Sequence, residues 1–284
     1  MKGRNFKRTI LYLFCSLGLF ALLFGLTYRE RNVKDQSRAP KLVVFGDSIM
    51  GECRYDDGIP ARIGKRMNMR AMNAAFGGTR MCRADDTKRL DNNRDGLSMA
   101  ALSKALVSKD FGVQQMVHIN EGGTDFFDEL IDTIAVTDFS KMEILILEYG
   151  INDYHMAVPL DNPENPFDEY TFLGATRSAV TTLKKAYPDV RIVLVTPTYS
   201  WYLSQNLTCE TYDTGNGTLE KYVNAQLETA KELDVEIVDL YHDFYPHEKY
   251  EDWEKYTRDG IHPNEKGRKK IAKKIANYLK GKEE

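Results

Sequence analysis

A short apolar segment that ends in a serine begins the part of the chain that carries its motifs: Lys41-Leu42-Val43-Val44-Phe45-Gly46-Asp47-Ser48. Its β-branched and aromatic residues are typical of a buried parallel strand, which should end at Gly46. In open α/β sheets, ligands bind beyond the carboxyl ends of the strands. Ser48 is therefore expected at a binding edge and not in the core.

The pattern that begins with this strand continues to the end of the chain. Strands are expected near residues 41–45, 70–74, 143–149, 191–196 and 235–239, and helices near 59–68, 97–109, 169–186, 218–233 and 264–280. Alternation of this kind favours an α/β fold, a three-layer α/β/α sandwich with helices on both faces of a parallel sheet. Residues 41–284 suffice for one domain with a single core.

Three further motifs follow Ser48: Gly78, Gly150-Ile151-Asn152-Asp153 and Asp259-Gly260-Ile261-His262. A serine hydroxyl is a weak nucleophile at neutral pH and needs a base within hydrogen-bond reach. His262 is the candidate base, and Asp259 is spaced to accept its other ring N–H and fix the tautomer. The sequence thus predicts a Ser48, His262 and Asp259 triad for acyl transfer.

Acyl transfer also needs donors for the negative charge that develops on the carbonyl oxygen. The candidates are the backbone N–H groups of Ser48 and Gly78 and the side-chain amide of Asn152. Glycine suits the second position because the backbone must approach the substrate closely. Gly77 competes with Gly78 for that place.

These motifs resemble the blocks of the SGNH hydrolase family, also called GDSL-type lipases and esterases. The corresponding stretches are VFGDSI (44–49), NAAFGGT (73–79), YGINDY (149–154) and DGIHPN (259–264). The resemblance runs from about Lys41 to the C-terminus. It implies a flavodoxin-like strand order, and its spacing from Asn73 favours Gly78 over Gly77. The segment between the second and third blocks is longer than a minimal member needs.

Other histidines were weighed as bases. Asp239-Leu240-Tyr241-His242 repeats the Asp-x-x-His spacing, but it follows a predicted strand directly and lacks the Pro263-Asn264 start of a terminal helix. It is interpreted as structural. His118 and His155 have no partner pattern and are interpreted as surface or core histidines.

The sequence lacks the motifs of several other kinds of catalytic and binding site. Phosphate-loop, dinucleotide-binding and His-Glu-x-x-His zinc motifs are absent, and Met50 stands where the Gly-x-Ser-x-Gly elbow needs its second glycine. Cys53 and Cys82 are not spaced as metal ligands, so neither a metal nor a cofactor is expected. Both cysteines should flank the cleft, either joined as a disulfide or as free thiols.

The N-terminal region predicts a membrane anchor. Residues 9–28 carry no charge and are long enough to cross a bilayer, and residues 1–8 hold four basic and no acidic side chains. Residues 1–8 should therefore stay in the cytoplasm, with 29–40 as a linker and the catalytic domain outside the cell membrane. A cleaved signal peptide remains the alternative.

The charge balance excludes some partners. The first 35 residues hold seven of the chain's 39 basic and two of its 42 acidic side chains, so the remainder is net acidic. Such a domain is not expected to bind nucleic acid or to dock tightly on an anionic membrane. The sequence leaves the oligomeric state open.

The substrate follows less directly from the sequence. Tyr199 and Trp201 come after a predicted strand and are candidate substrate contacts, because aromatic rings stack on sugars. An outward-facing member of this family is expected to remove O-acetyl groups from cell-surface or extracellular carbohydrate. Alternatives are a lipase or lysophospholipase, an acyltransferase with the same triad, and a non-catalytic carbohydrate-binding or assembly module.

Overall fold

The computed structural model describes residues 39–84, 92–117 and 126–281. The predicted cytoplasmic segment, the membrane anchor at 9–28 and most of the linker lie outside these residues, as does His118. Among the helices within the described ranges, none is both long and apolar enough to cross a membrane.

A parallel sheet forms the centre of the described structure. The strands are β1 (Leu42–Gly46), β2 (Ala71–Asn73), β3 (Ile144–Glu148), β4 (Arg191–Val195), β5 (Trp201–Tyr202), β6 (Leu207–Thr208) and β7 (Glu236–Val238). Five of them pair in parallel in the order β2-β1-β3-β4-β7, while β5 and β6 form a small antiparallel ribbon. This order is the flavodoxin-like one, and the five predicted strands are confirmed.

Helices flank the sheet. They are α1 (Ser48–Gly51), α2 (Ile59–Met67), α3 (Met99–Ser108), α4 (Gly112–Gln115), α5 (Phe127–Val136), α6 (Ile151–His155), α7 (Phe172–Ala186), α8 (Leu219–Glu232), α9 (Trp253–Tyr256) and α10 (Glu265–Leu279). Helix α2 packs against α10, and α7 packs against both α3 and α8. Thr171 and Asn264 cap α7 and α10 by accepting from the N–H groups of Gly174 and Gly267.

The strands β1 and β3 form the buried middle of the sheet. Val44 lies opposite Asn73 on one side and Ile146 on the other. Both strands are buried along their whole length, which explains why each reads as a continuous apolar run. Because the strands are parallel and in register, the residues that follow them reach the same edge of the sheet.

Helix α5 has no counterpart among the predicted elements. It lies in the long insertion between the second and third motif blocks, and it buries four apolar side chains at helical spacing: Phe127, Leu130, Ile131 and Ile134. Phe127 packs edge-on against Phe76, with ring centroids 5.1 Å apart. The insertion therefore supports the segment that leads to Gly78.

Candidate active site

Ser48 lies at the turn between β1 and α1. The Asp47 side chain caps α1 by accepting from the N–H of Ile49 at 2.9 Å. The Ser48 N–H is thus at a helix start, where backbone donors point outward. The geometry agrees with the position that the apolar run predicted for Ser48.

Ser48, His262 and Asp259 form a continuous hydrogen-bonded chain. His262 Nε2 lies 3.0 Å from Ser48 Oγ, and His262 Nδ1 lies 2.8 Å from Asp259 Oδ2. Residues separated by more than 200 positions in sequence are therefore in direct contact. The contact geometry is that of a nucleophile, a base and an orienting carboxylate.

Asp259 is held by its own loop. Its Oδ1 accepts from the backbone N–H groups of His262 and Ile261 at 2.8 and 3.1 Å. Although partial burial raises it, hydrogen bonds from the His262 backbone and ring bring the net pKa of Asp259 below its ordinary value. Arg258 Nε adds a cation 3.5 Å from Asp259 Oδ2. The carboxylate therefore stays ionised and keeps the His262 ring in place.

The loop from Asp259 to His262 is fitted against the β5 backbone. Trp201 N–H donates to the Gly260 carbonyl at 2.9 Å. Gly260 has φ +88°, and a Cβ there would lie 2.3 Å from the Trp201 carbonyl oxygen. Only glycine fits this contact without displacing the loop.

The predicted substrate contacts of Tyr199 and Trp201 are wrong for this structure. Both side chains are 1% exposed, so neither presents a ring face to a ligand. Tyr199 stacks on His247 at 4.2 Å and donates its hydroxyl to Glu210 at 2.9 Å. The two rings are packed between loops. A large aromatic side chain can stack on a ligand, but it can equally be buried within the protein.

The Asn152 amide is fixed in orientation. Its Nδ2 donates to the Thr79 carbonyl at 2.9 Å. An amide nitrogen carries two N–H groups, so one remains to meet a ligand. Gly78, directly before Thr79, has φ +72°, while a Cβ on Gly77 would touch Ser48 Cβ at 3.7 Å. The second and third blocks therefore meet beside Ser48.

Asp153 joins the second and third blocks from beneath. The carboxylate is fully buried and accepts from the backbone N–H groups of Met81 and Cys82, both at 3.0 Å. Each acceptor oxygen satisfies a donor that would otherwise be buried without a partner. This role of Asp153 is not predicted from the sequence, in which its position beside Asn152 is the only signal for it.

A pair of buried carboxyl groups lies under the nucleophile. Asp47 and Glu148 are fully buried, and the two oxygens of Glu148 and Oδ2 of Asp47 accept no hydrogen bond from the described residues. Burial raises the pKa of Asp47 to about 7, and burial together with the Asp47 charge raises that of Glu148 well above its ordinary range. Such a pair holds at least one proton near neutral pH. From the sequence, Glu148 is predicted only as part of a strand.

The two alternative histidines are structural. His242 Nδ1 lies 2.7 Å from Asp239 Oδ2, which repeats the Asp259 and His262 arrangement, but among the described residues no serine hydroxyl contacts His242. His155 Nε2 lies 2.8 Å from the Tyr202 hydroxyl. Burial, with a contribution from His262, lowers the pKa of His155 to about 4, so its ring is neutral at pH 7.

Cys53 and Cys82 are free thiols. Cys53 Sγ donates to Asp57 Oδ1 at 2.9 Å, while Cys82 is buried under the clamp that Asp153 makes. The disulfide alternative is therefore not realised, since each cysteine is committed to its own loop.

Comparison with known proteins gives the arrangement a context. Residues 44–270 match the sequence model of the GDSL-like lipase/acylhydrolase family. An acetylxylan esterase from Xylanibacter ruminicola is 26% identical over 195 residues, which is 61% of this chain. The matched region spans only 35% of that longer relative.

Solved structures share the fold. A Lactobacillus plantarum protein superposes with a TM-score of 0.58 at 18% identity, covering 86% of this chain and 98% of its own. A possible lipase from Chitinophaga pinensis gives a TM-score of 0.56 at 17% identity, covering 85% and 98%. At these identities the likeness establishes the architecture and not the substrate.

Proposed function

This chain belongs to the GDSL-like lipase/acylhydrolase family, and on that premise we propose that it removes O-acetyl groups from extracellular or cell-surface carbohydrate. Ester hydrolysis is the chemistry of the family, and the esterase relative agrees with it. Membership of an ester hydrolase family disfavours the alternative of a non-catalytic carbohydrate-binding or assembly module. The acetyl group and the carbohydrate are the specific parts of the proposal.

One observation carries the mechanism: the hydrogen-bonded chain from Ser48 through His262 to Asp259. In the proposed reaction, Ser48 Oγ attacks the ester carbonyl while His262 Nε2 takes the hydroxyl proton. Asp259 keeps the ring oriented and stabilises the imidazolium that forms. His262 then passes the proton to the departing alcohol oxygen, which leaves an acyl group on Ser48.

The charge on the tetrahedral intermediate needs preorganised donors. The proposed oxyanion hole consists of the Ser48 and Gly78 N–H groups and the free N–H of Asn152. Asn152 is oriented by Thr79 before substrate arrives, so little reorganisation is needed during the reaction. Water activated by His262 then attacks the acyl group and frees Ser48.

The carbohydrate part of the proposal is supported by the esterase relative and by the acidic domain. The relative is named for an acetylated polysaccharide. The acidic balance beyond residue 35 disfavours close contact with anionic lipid. The uncharged segment 9–28 supports a catalytic domain held outside the cell membrane. Protease accessibility in intact cells tests that placement.

A panel of esters tests the function. Purified protein is assayed on p-nitrophenyl acetate, butyrate and laurate and on acetylated oligosaccharides, with Ser48→Ala as the inactive reference. We expect acetyl esters to give the highest kcat/KM. A preference for laurate would favour a lipase, and acyl transfer to added alcohol in place of water would favour a transferase.

A further inference from the structure

A cavity of about 530 Å³ begins at Met156, just after helix α6, and we call it the side cavity. It lies between the segment 80–83 that follows Gly78 and the loop that joins α6 to α7. Its volume falls in the range of small-molecule sites. Ser48, His262 and Asp259 are not among the described residues that line it, so the side cavity is separate from the triad.

The side cavity is lined by the two segments that follow the proposed oxyanion residues along the chain. Arg80 lines it and directly follows Thr79, whose carbonyl accepts from Asn152. Met156 lines the opposite wall, and its N–H donates to the Asn152 carbonyl at 3.0 Å. The Asp153 clamp holds these two segments together. The residues that orient the Asn152 amide and those that line the side cavity therefore belong to the same two segments.

The walls of the side cavity carry both hydrogen-bond donors and hydrogen-bond acceptors. Arg80 is half-buried and lines the side cavity, and its guanidinium carries five N–H donors. The Asp168 carboxylate accepts from the Asn162 amide at 2.7 Å and from the Tyr170 N–H at 3.1 Å, and each of its oxygens has a further lone pair. Sugar hydroxyls both donate and accept, so they match such a lining. An acyl chain would bury these polar groups without partners.

An aromatic ring stands at the same cavity. Tyr170 is 43% exposed although it is large and apolar. The Arg83 guanidinium lies over the ring, 5.7 Å from its centroid, and is itself tied to Asp95 at 3.1 Å. The ring is therefore positioned without being covered completely. Rings of this kind contact the C–H faces of sugars.

The loop that forms one wall is built to hold its shape. Arg177 on α7 pairs with Asp161 at 2.7 Å and donates to the Pro166 carbonyl at 3.2 Å. The Phe172 N–H donates to the Pro159 carbonyl at 3.0 Å, which closes the base of the loop. Proline and these contacts lower the entropy that binding would otherwise cost.

We propose that the side cavity is a subsite for a sugar residue in the alcohol part of the ester, held by Tyr170 and Arg80. The inference rests on the proposed function and adds a place and residues for the carbohydrate. Tyr170 supplies a ring contact, while Arg80 donates to a hydroxyl or ring oxygen. With the sugar in the side cavity, the acyl group of the ester would lie on the side of Ser48 that faces away from the side cavity.

Paired substrates test this subsite. Wild type, Tyr170→Ala and Arg80→Ala are assayed on p-nitrophenyl acetate, on p-nitrophenyl laurate and on acetylated xylo-, manno- and gluco-oligosaccharides. Each variant should lower the ratio of kcat/KM for the best oligosaccharide to that for p-nitrophenyl acetate by roughly tenfold, mainly through KM. Tyr170→Phe keeps the ring and should retain most of the ratio. Arg66→Ala, an exposed arginine on α2, should keep the wild-type ratio.

Three results would overturn the subsite. The first is an unchanged ratio in both alanine variants. The second is a KM for every oligosaccharide that is no lower than the KM for p-nitrophenyl acetate. The third is a loss of kcat/KM confined to p-nitrophenyl laurate, which would place an acyl chain in the side cavity. Failure of the proposed mechanism is distinguishable, because then Ser48→Ala would keep turnover of p-nitrophenyl acetate itself.

Discussion

The carbonyl oxygen of Trp201 lies 2.3 Å from the position that a Cβ on residue 260 would occupy. The Trp201 N–H also holds the Gly260 carbonyl at 2.9 Å. The backbone of β5 is therefore the template against which the Asp259 to His262 loop takes its shape. The Trp201 ring is expected from the sequence to contact substrate. In the structure Trp201 instead shapes the Asp259 to His262 loop through its backbone.

Gly260→Ala should separate His262 from Ser48. The alanine Cβ would meet a backbone atom that cannot rotate away, and a positive φ adds strain of about 1–2 kcal/mol. We expect kcat on p-nitrophenyl acetate to fall at least roughly tenfold in a folded protein. Gly112→Ala is the matched control, since its Cβ would meet only the Asp110 side chain, at 3.3 Å. Wild-type kcat in folded Gly260→Ala would contradict this account.

The Asp47 and Glu148 pair makes folding stability depend on pH. Burial raises the folded pKa of Asp47 from 3.8 to about 7, although the Ile49 N–H, the His262 charge and the interaction with the Glu148 side chain each lower it, and the Asp153 charge raises it further. The folded state therefore binds more protons than the unfolded state between about pH 4 and 7. Stability from this pair is present below pH 4 and is lost as the pH rises through 7.

Glu148→Gln tests that dependence. The amide cannot ionise and can donate to Asp47, so the pKa of Asp47 should fall. We expect a smaller loss of unfolding free energy between pH 5 and pH 8 than in wild type, measured by urea denaturation. Glu143→Gln changes an exposed glutamate paired with Lys41 and should keep the wild-type slope. An equal or steeper slope in Glu148→Gln would contradict the raised pKa values of this pair.

Much of the fold was predictable because its signals are local. The apolar runs of β1 and β3 reflect burial on both faces, and the turn residues after them fix where the strands end. Helix α5 was equally readable from its spacing of Phe127, Leu130 and Ile134, but it lay in a segment without a family motif.

The site residues were predictable where a short motif identifies them. They were not predictable where tertiary packing determines which side chains meet. The contacts among Ser48, His262 and Asp259 were predictable from two short motifs, one directly after β1 and one directly before α10. The burial of Tyr199 and Trp201 depends on loops far apart in sequence. The meeting of Asp47 with Glu148 depends on the pairing of β1 with β3, in which Gly46 lies opposite Glu148.

Asn152→Ala should remove one donor from the proposed oxyanion hole. Loss of such a donor costs about 2.7–4 kcal/mol in the chemical step, with kcat falling more than KM rises. Steady-state kinetics on p-nitrophenyl acetate measure both, and circular dichroism checks folding. Asn224→Ala removes an exposed amide on α8 and should behave as wild type. A rise in KM alone would assign Asn152 to substrate binding.

His262→Ala and His242→Ala separate two histidines with the same local geometry. His262 contacts Ser48, whereas His242 contacts Asp239 without a serine among the described residues. We expect His262→Ala to lower kcat by several orders of magnitude, and His242→Ala to stay within about threefold of wild type. An inactive, folded His242→Ala beside an active His262→Ala would exchange their roles.

Covalent labelling of Ser48 tests the central claim most directly. The hydroxyl that contacts His262 should react with a serine-directed fluorophosphonate, one label per chain, and mass spectrometry of the digested protein should place it on Ser48. Ser48→Ala should lose the label and turnover together, while Ser140→Ala, at an exposed serine, should keep both. A label on another residue, or undiminished turnover in Ser48→Ala, would contradict the proposed nucleophile.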